Sequence, residues 1–133
     1  LLARRGSTLI EALLAMLLVS MSLPLMVMLL NVLKNYSNEA LMRQNRLGVI
    51  QLRRVLSLGH SHVVKDDELC MNYRAESTCF YLHEDKLMQT PGTQFYLIGL
   101  SSLSFYREEG WIILGILLND TELSYGLLYD ATR

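Results

Sequence analysis

Few side chains in this 133-residue sequence could do chemistry, and the one whose position asks most of its surroundings is Glu11. It stands directly before Ala12–Leu30, a run without any charge that is interrupted only by Ser20, Ser22 and Pro24. A carboxylate at the mouth of such a run costs about 2–3 kcal/mol on membrane-insertion scales unless something offsets it. Cys70 and Cys79 are the other reactive pair. They could close a disulfide or remain two half-buried thiols on neighbouring strands, and the even count in a segment beyond the apolar run favours the bridge. His60, His62 and His83, with Asp66-Asp67-Glu68 nearby, match neither a calcium loop nor a zinc set, so no metal is expected. Ser101, Ser102 and Ser104 have no recognisable base, and neither a carboxylate pair nor a phosphate-cradling glycine loop is evident. No catalytic residue and no cofactor is expected, and the chain does not read as an enzyme.

Those residues need elements to hold them, and the apolar run is the first. Hydrophobic residues make up 51% of the sequence, an excess concentrated in Ala12–Leu30, while the remainder has the composition of one small domain. At 1.5 Å rise per residue, roughly 20 apolar residues cross a bilayer. Arg4 and Arg5 before the run favour a cytoplasmic start and an exported C-terminal part. A cleaved signal peptide has the same layout, with Ser20-Met21-Ser22 as a small-x-small site and Leu23 as the new terminus; a plain signal anchor is a second reading. Both tolerate Glu11, and neither has a use for it.

Arg5-Gly6-Ser7-Thr8-Leu9-Ile10-Glu11-Ala12-Leu13-Leu14 resembles the type IV prepilin signature. The resemblance implies that a prepilin peptidase cuts after Gly6, that the new terminus at Ser7 is N-methylated, and that Glu11 is the acid standing fifth in the mature chain. Where the family usually has Phe at the first mature position this chain has Ser7, which weakens the methylation expectation. Cleavage would create a positive amine on Ser7 that Glu11 of an adjacent subunit neutralises in an apolar filament core, where an isolated charge is far more costly than a pair. Pro24 agrees with the family's long helix, which commonly carries a proline in its apolar part. Residues 1–6 are then the leader, and a start without Met leaves a longer leader open.

Residues 7–30 read as the membrane and filament-core half of a helix, and 31–59 as its amphipathic half. Leu33, Tyr36, Ala40, Leu47, Val55 and Leu58 fall on one side at a 3.6 period, with Asn35, Asn38, Arg46 and Arg53 opposite. Gly59 suits a left-handed C-terminal cap. Arg43, Arg46, Arg53 and Arg54 suit a solvated face, or contact with anionic lipid or an acidic neighbour. The segment from His60 to Glu68 reads as a polar connector. Short β-like runs follow at Leu69–Tyr73, Cys79–His83, Lys86–Gln89, Phe95–Ile98, Leu103–Arg107, Trp111–Leu118 and Leu123–Tyr129, punctuated by Glu84-Asp85, Pro91-Gly92, Glu109-Gly110 and Asn119-Asp120. A helix followed by strands predicts α+β, a long N-terminal helix packed on a C-terminal antiparallel β-sheet over residues 60–133.

That order is also the pilin architecture. Gln94–Tyr129, with Tyr96-Leu97-Ile98-Gly99-Leu100 leading into Leu103-Ser104-Phe105-Tyr106, resembles the ComGF family of minor competence pseudopilins of Gram-positive bacteria. The resemblance implies a structural role in a transformation pseudopilus that helps bring external DNA to the uptake channel. It further implies other major and minor pseudopilins as partners, and a single-pass membrane protein with its C-terminal domain outside and at the cell surface after assembly. A minor pseudopilin of a type II secretion or type IV pilus system, and a signal-anchored or secreted binding protein, are the alternatives. Direct DNA binding is not expected. Tyr73, Tyr81, Tyr96, Tyr106, Tyr125 and Tyr129 could stack on bases, but loss of Arg4 and Arg5 takes the 12 basic side chains to 10 against 13 acidic, a net −3 with no basic groove.

Overall fold

The computed structural model describes residues 2–131, with side chains from Thr8 onward, and divides the chain into two compact units, Leu1–Ala40 and Leu41–Arg133. One helix, α1 (Leu2–Leu58), contributes to both. Its apolar part runs unbroken through Pro24, whose ring nitrogen has no hydrogen to give the Ser20 carbonyl. The Ser20 and Ser22 hydroxyls donate to the Leu17 and Val19 carbonyls at 2.9 Å, so neither is an unpaired polar group in an apolar stretch.

Eight strands follow: β1 (His60–Val64), β2 (Glu68–Tyr73), β3 (Glu76–His83), β4 (Lys86–Thr90), β5 (Phe95–Leu97), β6 (Ser102–Glu108), β7 (Trp111–Leu118) and β8 (Thr121–Tyr129). They form two antiparallel meanders, β1-β2-β3-β4-β5 and β6-β7-β8, so the class is α+β, with two sheets where a single one is expected from the sequence. The division falls at 98–101, where Leu100 N–H donates to Asp85 and Ser101 N–H to Leu117, stitching the link to both meanders. Arg74-Ala75, Glu84-Asp85, Glu109-Gly110 and Asn119-Asp120 are two-residue turns closed by direct partners such as Tyr73↔Glu76 and Leu118↔Thr121. Three of them hold both central residues at positive φ, the backbone that matches the twist of a hairpin.

Alternate strand residues turn inward: Leu69 and Met71 of β2, Phe80 of β3, and Ile112, Leu114, Ile116 and Leu118 of β7. They meet Val49, Leu52 and Leu56 of α1 in one core, each fully buried Leu, Ile or Phe contributing about 1.5–3 kcal/mol.

The helix packs by a different face from the one its apolar residues suggest. The buried stripe is Asn45, Gly48, Val49, Leu52 and Leu56, with Leu41 and Val55 at its margins, whereas Leu47 and Leu58 are exposed. Asn45 and Gly48 explain the shift, because neither registers as apolar. A Cβ on Gly48 would overlap the Tyr96 carbonyl oxygen, so glycine is what lets the helix approach β5. The helix from Leu41 onward belongs with the strands in the second unit. Gly59 is no left-handed cap. It is absent from the positive-φ glycines, its N–H donates to the Leu56 carbonyl, and a side chain there would meet the Met71 sulfur.

His60–Val64 is an edge strand, not a connector. Its pairing with β2 (His60↔Asn72, Val63↔Cys70, Val64↔Leu69) runs through the backbone, so polar and exposed side chains are no obstacle.

Candidate functional site: an acid at the mouth of an apolar helix

In the first unit, Glu11 is exposed on α1, one turn beyond Thr8, among Leu9, Ile10, Leu13 and Leu14, which are themselves exposed. The apolar side chains that follow are more than half exposed from Leu13 to Leu30 wherever they are large, and none is covered within the unit. The helix is long and apolar enough to cross a membrane. Contact of so large an apolar surface with water is unfavourable at about 25 cal/mol per Å². No ion pair reaches Glu11 among the described residues. Gly6 and Ser7 are described only as backbone of α1, and the surroundings of the Gly6–Ser7 bond and of the Ser7 side chain lie outside what is described.

In the second unit Cys70 and Cys79 are direct cross-strand partners of β2 and β3 and are joined by a disulfide. Glu68 lies beside them, but sulfurs bonded to each other supply no thiolate to a metal. The histidines part company. His60 is exposed, and the His83 ring stands edge-on to Tyr81. His62 is drawn into a half-buried cluster with Arg107 and Asp130 that has no local signal in the sequence, because its members come from β1, β6 and the end of β8. The His62 Nε2 is 3.1 Å from the Leu56 carbonyl, which can only accept, so Nε2 carries the hydrogen. The Nδ1 faces Asp130 Oδ2 at 3.6 Å, and Arg107 donates to that same oxygen at 3.1 Å and to the His62 carbonyl at 2.8 Å. These bonds fasten the last turn of α1 to both sheets. They run between these side chains and to the backbone at Leu56 and His62.

Among the tyrosines Tyr96 is buried, its hydroxyl donating to Gln89 Oε1 at 2.6 Å, and burial raises its pKa above 10.0. Tyr73 and Tyr125 pack against the core. Tyr106 and Tyr129 are exposed with Trp111, and Tyr129 meets the Trp111 ring edge-on at 5.5 Å. Arg53, expected on the solvated face, donates its Nε to the Gly126 carbonyl of the edge strand β8 at 2.8 Å. Arg43, Arg46 and Arg54 are exposed.

Compared with protein-family models, characterised proteins and solved structures, the chain shows no match.

Proposed function

We propose that this chain is a pilin-like structural subunit, cut after Gly6, that assembles by its N-terminal helix into a filament, and that among such subunits it resembles the ComGF minor pseudopilins of DNA-uptake systems. The observation that carries the reading is the position of Glu11. An acid stands at the mouth of an uncovered apolar helix that continues into an α+β unit, as the pilin architecture requires. Lipid alone explains the apolar surface and leaves the acid a cost. A filament core explains both, because a neighbour's Ser7 amine offsets the carboxylate. The strand-rich unit would then stand outside the membrane, where the Cys70–Cys79 disulfide persists.

Mass spectrometry of the membrane fraction tests the maturation step. A terminus at Ser7 supports the subunit reading; an uncut chain, or a terminus at Leu23, supports an anchor or an exported protein. Gene deletion scored for transformation and filament assembly, in parallel with secretion and twitching, distinguishes a competence pseudopilus from a secretion or motility system.

A further inference from the structure

Charge in the second unit is segregated between helix and strands. From Leu41 to Leu58 α1 carries Arg43, Arg46, Arg53 and Arg54 and no acid, a net +4. From Gly59 to Ala131 the acidic side chains number 11 and the basic ones four (Lys65, Arg74, Lys86 and Arg107), a net −7. Two of those four bases are already committed, Lys65 to Glu68 and Arg107 to Asp130.

The basic side chains share the helix surface with an uncovered apolar stripe. Arg43, Leu47, Ile50 and Arg54 recur at four, three and four residues, about half a turn round the helix from the buried Gly48 and Leu52. Leu47, Ile50 and Leu58 are 63%, 58% and 61% exposed. A single exposed leucine means little, but three on one stripe bordered by arginines have the composition of an interface with an anionic partner. Two such stripes would not pair with each other, since like charges would be brought together. The strand region of the same chain supplies the opposite sign.

We propose that the outward face of α1 between Arg43 and Leu58 docks against the acidic strand region of a second copy of this chain, joining copies head to tail. The contact is heterologous, using different patches on the two copies, and such contacts propagate into open assemblies when they do not close. The acids assigned to receive the arginines are Asp85 and Glu122. Both are exposed, and both flank the 98–101 link: Leu100 N–H donates to the Asp85 carbonyl, and Ser101 N–H donates to Leu117, the direct partner of Glu122. The proposal needs neither cleavage at Gly6 nor an amine on Ser7, so it goes beyond the filament reading and can fail or stand apart from it.

The deciding experiment is self-association of the full chain in neutral detergent, followed by analytical ultracentrifugation at low and high salt. The wild type should associate, and more weakly at high salt. Arg46→Glu with Arg54→Glu should weaken association about tenfold or more, and Asp85→Lys with Glu122→Lys should do the same. Combining all four substitutions should restore association to within about threefold of wild type, a recovery that misfolding cannot imitate. A wild type that does not associate overturns the proposal, as do arginine variants that associate normally or a charge swap that fails to restore the contact. Loss of binding to anionic-lipid vesicles by the arginine variants, with self-association unchanged, also overturns it and assigns the stripe to lipid.

Discussion

The Asn45 side chain takes the place of a strand beside Ile98: its Nδ2 donates to the Ile98 carbonyl at 3.0 Å, and its Oδ1 accepts from the Ile98 N–H at 3.1 Å. Ile98 lies just past β5, where the first meander ends and a further ladder partner is missing, so the helix supplies one amide group for both backbone positions. Truncation to alanine leaves a half-buried N–H and a half-buried C=O without these partners, each costing at most about 1–3 kcal/mol. Asn45→Ala should therefore lower stability by about 2–4 kcal/mol, measured by denaturant unfolding of the full chain in detergent with Trp111 fluorescence as the probe. An unchanged midpoint would mean that water or a neighbour replaces the amide.

Gly48 and Gly59 should behave differently although both lie against packed neighbours. At Gly48 an added methyl meets the Tyr96 backbone carbonyl, which cannot move without shifting β5, and the helix propensity gained by alanine, about 1 kcal/mol, is too small to offset that. At Gly59 the obstacle is the end of the Met71 side chain, which has three rotatable bonds with which to withdraw. Gly48→Ala should cost about 3 kcal/mol and Gly59→Ala about 1 kcal/mol or less in the same unfolding assay. Equal losses would show that Met71 is as fixed as the backbone.

Much of this architecture is legible before any coordinates, and the failures have physical causes. Glu109-Gly110 and Asn119-Asp120 advertise their turns because Gly, Asn and Asp tolerate positive φ, and β6 to β8 follow from them. Arg74-Ala75 adopts the same backbone at φ 51 and 65 with two residues that give no such notice, so β3 begins earlier than its composition suggests. The strand β1 is masked by its own exposure. In the helix, the stripe Leu33, Tyr36, Ala40, Leu47, Val55 and Leu58 is the more apolar one to the eye, yet of its members in the second unit only Val55 packs against the core, and Leu47 and Leu58 are exposed. What decides the docked face is one amide that completes a backbone ladder and one glycine that admits a carbonyl, neither of which scores as hydrophobic. Of the candidate site, Glu11 and the cysteines stand out by type and surroundings, whereas the His62–Arg107–Asp130 cluster exists only once three strands have met.

The Cys70–Cys79 bridge spans a register pair of the β2–β3 hairpin. Closing so short a loop removes conformations chiefly from the unfolded chain, which the chain-entropy relation puts at about 2–3 kcal/mol. Cys70→Ala with Cys79→Ala should lower the unfolding free energy by that amount while leaving the far-ultraviolet circular dichroism unchanged. A mass identical before and after reduction and alkylation of the native protein would remove the premise.

Tyr96 should confer sensitivity to alkali. Desolvation by burial raises its phenol pKa above the usual 10.0, so the unfolded chain loses this proton first. The stabilising contribution is fully present below pH 10 and is lost as pH rises from there through the folded value. Tyr96→Phe should remove that part of the alkaline decline while costing about 1 kcal/mol at neutral pH for the lost bond to Gln89. Denaturation midpoints of the two proteins that fall in parallel across the alkaline range would exclude Tyr96 as the source.

Glu11 distinguishes an anchor from a filament subunit, because the two roles assign opposite signs to its carboxylate. In a lone membrane helix the acid is only a transfer cost of about 2–3 kcal/mol, so Glu11→Gln should insert as well as the wild type or slightly better. In a filament the same substitution removes the partner of a buried amine, and an unpaired cation in a low-dielectric core costs several kcal/mol at the docking step. If the chain is the filament subunit proposed above, membrane content and cleavage at Gly6 should stay near wild type in Glu11→Gln and Glu11→Val, while co-purification with pilin-like partners and DNA transformation fall at least about tenfold. Measuring all of these in one strain separates assembly from insertion. If co-purification and transformation both persist at wild-type levels in the variants, the Ser7 amine is not paired with Glu11, and the helix is best understood as a membrane anchor that tolerates an acid near its interface.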